Sequence, residues 1–235
     1  MSQLFGNFER VRGQIAAACD ASGRGRDEVE LVAVSKRHPA AVVVDALAAG
    51  QRVFGENRVQ ELSSKACDVA SSEEMCAPEG VQWHLIGSLQ TNKVRDLLRV
   101  PGLALLHSCD RQKLADTLQR ELDERGARLD VLLQVNASDE EQKHGCDVDE
   151  APALLEHLLA RCPALSVRGL MAMGPLRGSA RPVFDRVVAL REELRNRSGL
   201  ELETMSLGMS GDLEDAIAAG STMVRVGTAL FGPRD

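Results

Sequence analysis

The 235-residue chain contains no tyrosine, and aromatic residues of all kinds make up only 3% of it. Lysine is scarce as well: five residues, at 36, 65, 93, 113 and 143, against 23 arginines. The first absence removes a common acid–base side chain from any mechanism, and the second leaves few amines for covalent chemistry on a carbonyl. Long apolar runs are also missing. Uninterrupted stretches reach five residues, as at 40–44, far short of the roughly 20 that a membrane-spanning helix needs. The start of the chain has neither a basic segment nor an apolar one, so no secretory signal is read and a cytoplasmic location is expected. The six cysteines, at 19, 67, 76, 109, 146 and 162, form no CxxC pair and no zinc-like spacing. They are expected as reduced thiols, several of them small core fillers, and no metal is assigned. A net charge of −7 argues against a nucleic-acid partner.

What is present is ordinary for a globular chain: 44% hydrophobic and 27% charged residues. Leu4, Phe8, Val11, Ile15 and Ala18 recur at helical spacing and predict a first helix. After it, short apolar runs alternate with amphipathic segments. Strands are predicted at 31–35, 52–55, 82–87, 104–108, 130–136, 167–173, 203–208 and 223–227. Helical patterns fall at 39–49, 57–70, 91–99, 110–125, 147–161, 181–197 and 212–219. Eight strands alternating with helices predict an α/β chain with parallel pairing, most simply a closed (β/α)8 barrel. The extra N-terminal helix is expected to fill the outer-ring place after the eighth strand. No proline- or glycine-rich linker divides the chain, and the polar stretch 63–80 reads as a long connection, so residues 1–235 are expected to form one domain.

In such a barrel the chemistry gathers where the strands end. Lys36 closes the first strand. Partly desolvated there, it would have a free amine for attack on a carbonyl; as an ordinary strand-end lysine it would reach into solvent. Spacing alone favours the second reading. Ser206-Leu-Gly-Met-Ser-Gly-Asp212 and Val226-Gly-Thr228 supply two small-residue loops on adjacent strands, where backbone N–H groups could hold an anion. Alternatively, Ser210 merely caps the helix after it. Arg225 lies between two valines and points inward by alternation, so it needs either an acidic neighbour or a ligand acceptor. Asn57, His84 and His107 are weaker signals, since a single strand histidine is usually a hydrogen-bonded structural residue. His144-Gly-Cys146 lacks the other ligands of a zinc site.

Six blocks follow one another in order: Leu31-Val-Ala-Val-Ser-Lys36; Phe54-Gly-Glu-Asn57; Trp83-His-Leu-Ile-Gly87 with Leu89-Gln-Thr-Asn-Lys93; Arg168-Gly-Leu-Met171; Ser206-Leu-Gly-Met-Ser210; and Val224-Arg-Val-Gly-Thr228. Together they resemble the pyridoxal phosphate homeostasis protein family, the YggS/PROSC type, over nearly the whole chain. The resemblance implies a single barrel like the N-terminal domain of alanine racemase, holding pyridoxal 5′-phosphate (PLP) as a Schiff base. It makes Lys36 the Schiff-base lysine and sets Arg225 toward the pyridine nitrogen. Ser210, Gly227 and Thr228 would hold the phosphate, with Asn57, His84 and Met209 lining the pocket. Arg58 stands where relatives often carry tyrosine and Ser88 where proline is common; Lys143-His-Gly145 keeps the family's Lys and Gly.

Three functions compete on this reading: a carrier that buffers PLP or delivers it to apo-enzymes, an amino-acid racemase, and a barrel aldolase using Lys36. The racemase that the fold resembles works with a lysine and a tyrosine on opposite cofactor faces, and this chain has no tyrosine. Arginine can only donate toward the pyridine nitrogen, which makes the ring a poorer electron sink. The carrier reading leads. A monomer is expected, because the racemase's dimerising domain has no counterpart in the 235 residues.

Overall fold

Each strand carries side chains alternately to the helices and to the interior, and this alternation builds the site. A computed structural model describes residues 3–71, 80–138, 140 and 144–233. In chain order, the elements are α1 (Gln3–Ala21), β1 (Glu30–Val34), α2 (Ala40–Ala48), β2 (Val53–Glu56), α3 (Val59–Ala70) and β3 (Gln82–Leu85). Next come α4 (Val94–Leu97), β4 (Leu103–Cys109), α5 (Gln112–Asp123), β5 (Leu129–Asn136), β6 (Cys146–Asp147), α6 (Ala151–Arg161) and β7 (Leu165–Met171). The chain continues with α7 (Arg181–Ser198), β8 (Thr204–Ser206), α8 (Leu213–Ala219), β9 (Met223–Val226) and α9 (Thr228–Phe231).

The strands pair in the order β4-β3-β2-β1-β9-β8-β7-β5, and a β4–β5 pairing closes the ring. Every ladder is parallel. The fold is therefore the expected eight-stranded barrel with an extra N-terminal helix, and β6 is a two-residue addition to the β5 edge. Six buried side chains, Val32, Val53, Leu105, Leu132, Met171 and Met223, form a small interior cluster separate from the larger core beneath the helices.

Helix α1 covers the last part of the ring. Its Phe8, Val11, Ile15, Ala18 and Cys19 are buried. Asn7 donates to the Leu230 carbonyl at 2.8 Å, and Phe8 meets Phe231 edge-on with centroids 6.0 Å apart. Arg24, just past α1, donates to the carbonyls of Ile217 and Ser221. The N-terminal helix thus takes the expected place.

Several boundaries differ from the periodicity. The predicted helix 91–99 is a 3-10 turn, Thr91–Lys93, followed by the short α4. The predicted helix 147–161 starts instead with β6 and a 3-10 turn, Val148–Glu150. Strand 82–87 stops at Leu85 and strand 203–208 at Ser206. The polar stretch 63–80 begins inside α3, where Leu62, Ala66 and Val69 are buried at helical spacing, while 72–79 lie outside the described residues. Cys19, Cys109, Cys146 and Cys162 are buried free thiols, as expected, and Cys67 is exposed; Cys76 lies outside the described residues. Burial pushes the Cys146 thiol up to about 12 and the Cys162 thiol up to about 11, which keeps both unreactive. No helix among the described residues is long and apolar enough to cross a membrane.

Candidate functional site

The interior alternation places polar groups directly above the apolar cluster. Two residues past Val32, Val53, Leu105, Leu132 and Met223 come Val34, Gly55, His107, Gln134 and Arg225, and all five face the interior by strand phase. Lys36 lies two residues past the end of β1 and is half-buried where that strand leaves the barrel at its C-terminal end.

Lys36 sits in a tight turn. The His38 N–H donates to the Ser35 carbonyl at 3.1 Å, and Arg37 takes φ of +64°. That left-handed conformation is one glycine ordinarily fills; for a side chain such as arginine it costs about 1–2 kcal/mol.

Arg225 is 4% exposed, and its inward direction is as expected. Among the described residues, two carbonyls and a hydroxyl take its donors rather than an acidic side chain. Nη1 donates to both the carbonyl and the hydroxyl of Ser206, each at 2.6 Å, and Nη2 donates to the Ala172 carbonyl at 3.0 Å. Burial lowers the guanidinium to about 10, partly offset by Asp212, so it remains charged at neutral pH. These three bonds leave two of the five guanidinium N–H donors available.

From Arg225 a chain of hydrogen bonds crosses the barrel. Ser206 Oγ lies 3.0 Å from His107 Nδ1, and His107 Nε2 lies 3.0 Å from His84 Nδ1. Burial pushes His84 down to about 4 and His107 well below its usual value, so both rings are neutral. Arginine can only donate, so Ser206 Oγ accepts from it, and the two neutral rings share one N–H between His107 Nε2 and His84 Nδ1. Register shifts in the β3–β4 and β4–β5 ladders flank these two histidines, as bulges that re-aim side chains often do near sites.

The remaining expected residues surround the same end of the barrel. Asn57 is half-buried just past β2, and a Cβ on Gly87 would lie 2.1 Å from the Asn57 carbonyl oxygen. Only glycine lets the exits of β2 and β3 approach that closely. Met209 and Ser210 are exposed on the loop after β8; Gly227 and Thr228 follow β9. A Cβ on Gly227 would come within 3.1 Å of the Val34 carbonyl oxygen, so glycine holds the β9 exit against β1. Ser210 does not cap α8. Asp212 takes that position, and its Oδ1 accepts the Met209 N–H at 2.6 Å. A cavity of about 270 Å³ beside Ser210 is lined by Asp212, Glu214 and Asp215, an acidic wall unsuited to phosphate.

His84 is 2% exposed and belongs to the interior chain rather than to an open rim. His107, weak in the sequence, is its hydrogen-bonded neighbour, and Ser206 was visible only as part of a motif. Lys143 lies outside the described residues. Away from the barrel mouth, Asp116, His157 and Cys162 bring their ligand atoms close together between α5 and α6, where His157 bonds Asp116 at 2.7 Å.

A parallel barrel with a lysine leaving its first strand and a buried arginine on its last defines the alanine racemase N-terminal barrel class. Residues 9–235 match the family model described as alanine racemase, N-terminal domain. Alanine racemase of Clostridium difficile 630 shares the fold, with a TM-score of 0.73 at 11% identity over 98% of this chain and 56% of that one. Within the class, the pyridoxal phosphate homeostasis protein of Bos taurus is 44% identical over 97% of this chain and 84% of its own length. PipY of Synechococcus elongatus PCC7942, solved with PLP bound, is 35% identical with a TM-score of 0.82, covering 98% of this chain and all of its own. The chain belongs to the pyridoxal phosphate homeostasis protein family.

Proposed function

We propose that this chain binds PLP as a Schiff base on Lys36 and buffers or delivers it, without appreciable catalysis of its own. The observation that carries the reading is the position of Lys36, half-buried just past the C-terminal end of β1, where the strands leave the barrel. The donor chemistry fits the cofactor. Arg225 retains N–H donors for the pyridine nitrogen, and Ser210, Gly227 and Thr228 offer small-residue backbone for the phosphate. Asn57, His84 and Met209 complete the pocket. When bound, PLP supplies an aldehyde for amines and a ring that withdraws electrons.

Against catalysis stand two properties of the chain. It has no tyrosine to act opposite Lys36. Arg225 is charged at neutral pH and can only donate, which leaves the pyridine nitrogen unprotonated. The proposal extends to a cytoplasmic, single-domain monomer whose partners are PLP and the apo-enzymes that receive it, with no nucleic acid.

The test is α-proton exchange of alanine and serine in deuterated water. A positioned acid or base contributes about 10²–10⁴-fold, so its absence leaves exchange near that of free PLP. Stereochemical inversion at an enzymic rate, lost in Lys36→Ala, would establish a racemase instead.

A further inference from the structure

The turn that carries Lys36 is gripped from behind by α3. Lys65 Nζ, on that helix, donates to the Ser35 carbonyl at 2.8 Å, to Glu56 Oε1 at 2.5 Å and to Glu61 Oε1 at 3.2 Å. The Ser35 hydroxyl donates to the same Glu56 oxygen at 2.7 Å. On the other side of Lys36, the Arg37 N–H donates to Glu61 Oε1. Residues 35 and 37 are thus both fixed by one charged group of side chains, with the half-buried Lys36 between them.

The arrangement is unusual in its burial. Lys65 is 5% exposed and Glu56 fully buried, with Glu56 Oε2 left without a hydrogen-bond partner. Burial, with a smaller push from Glu61, raises the Glu56 carboxyl against the pull of Lys65 and Ser35. A buried ion pair of this kind contributes little net stability compared with apolar packing, and its best-attested use is to specify one geometry. Here the geometry specified is a turn with an arginine in the left-handed region, which relaxes unless something holds it.

We propose that Glu61 and Lys65 are positioning residues for Lys36: they hold its turn so that the amine is presented for Schiff-base formation. This rests on the reading that Lys36 carries the cofactor. In that reaction the lysine nitrogen bonds the aldehyde carbon, a C=N bond replaces C=O, and the oxygen leaves as water. The clamp does not touch the ligand, so it affects only ligands that react with the amine.

The test compares PLP with pyridoxine 5′-phosphate, which keeps the ring and phosphate but has no aldehyde. Glu61 is on the surface side of the clamp, so its variants disturb the core least. Glu61→Ala is expected to weaken PLP binding at least about tenfold, since small misplacements of a reacting group cost up to about 10²-fold. Its affinity for pyridoxine 5′-phosphate should stay within about twofold, a change no larger than surface substitutions ordinarily cause. Glu61→Gln keeps an acceptor for the Arg37 N–H and should retain most PLP binding. Glu61→Asp, one methylene short, should behave like Glu61→Ala and serves if that variant folds poorly. Parallel loss of both ligands, or loss of neither, would overturn the clamp. Borohydride reduction of the wild-type complex tests the underlying reading separately: an adduct on another lysine overturns the role of Lys36 whatever Glu61 does.

Discussion

One nitrogen of Arg225 donates to both the carbonyl and the hydroxyl of Ser206, each at 2.6 Å. This pair starts a buried chain of hydrogen bonds that runs on through His107 to His84, two rings that burial keeps neutral.

Ser206→Ala removes the middle of that chain. It leaves a buried guanidinium nitrogen with one acceptor fewer and His107 Nδ1 without its hydrogen-bond partner. The expected loss is about 1–3 kcal/mol of stability. Urea denaturation checks it, and an unchanged midpoint would contradict the chain as described.

His84 makes stability depend on pH. Its folded value of about 4 lies below the ordinary 6.5, so the unfolded chain takes up a proton that the folded chain refuses. The contribution is fully present above about pH 6.5 and is lost as pH falls toward 4, amounting to about 3 kcal/mol for one such histidine. His107 acts in the same direction, whereas Glu56, raised by burial, acts in the opposite one. Melting temperatures from pH 7 to 4.5 should therefore fall more steeply for wild type than for His84→Asn. Equal slopes would mean that His84 is charged or exposed.

Two glycine substitutions should have opposite signs. Gly87→Ala drives a Cβ against the Asn57 backbone and should cost about 1–3 kcal/mol. Gly13→Ala, inside α1 with nothing near the new methyl group, should stabilise by about 0.5–1 kcal/mol. Thermal melts of the two variants measure both effects.

The proposed phosphate seat predicts selectivity between vitamers. Charge-assisted bonds to phosphate contribute roughly 1.5–3 kcal/mol each, so losing two or more should weaken pyridoxal at least about a hundredfold relative to PLP. Calorimetric titration measures the ratio. Equal affinities would remove Ser210, Gly227 and Thr228 from the binding account.

The inward direction of Arg225 was legible because a strand has a period of two, and a residue's face follows from its neighbours, whereas spacing alone favoured a solvent-facing Lys36 and only the family resemblance singled it out. The barrel itself was legible from eight alternations of strand and helix. The His84–His107–Ser206 chain was not, because it joins three strands through ladders whose registers shift at Trp83/His84 and between Leu106 and Cys109. The Lys65 clamp was equally hidden. Glu61 and Lys65 stand four apart on α3 and read as an ordinary surface pair. Nothing in the sequence announces that Lys65 is buried or that Arg37 takes a positive φ. The alternative of Ser210 as the cap of α8 does not hold, because the helix begins two residues later, with Asp212 at the cap position.

The central claim is that Lys36 carries the cofactor. Protein incubated with PLP, reduced with borohydride, digested and mapped by mass spectrometry should show the pyridoxyl adduct on Lys36. An adduct mainly on Lys65, Lys93, Lys113 or Lys143 would contradict it.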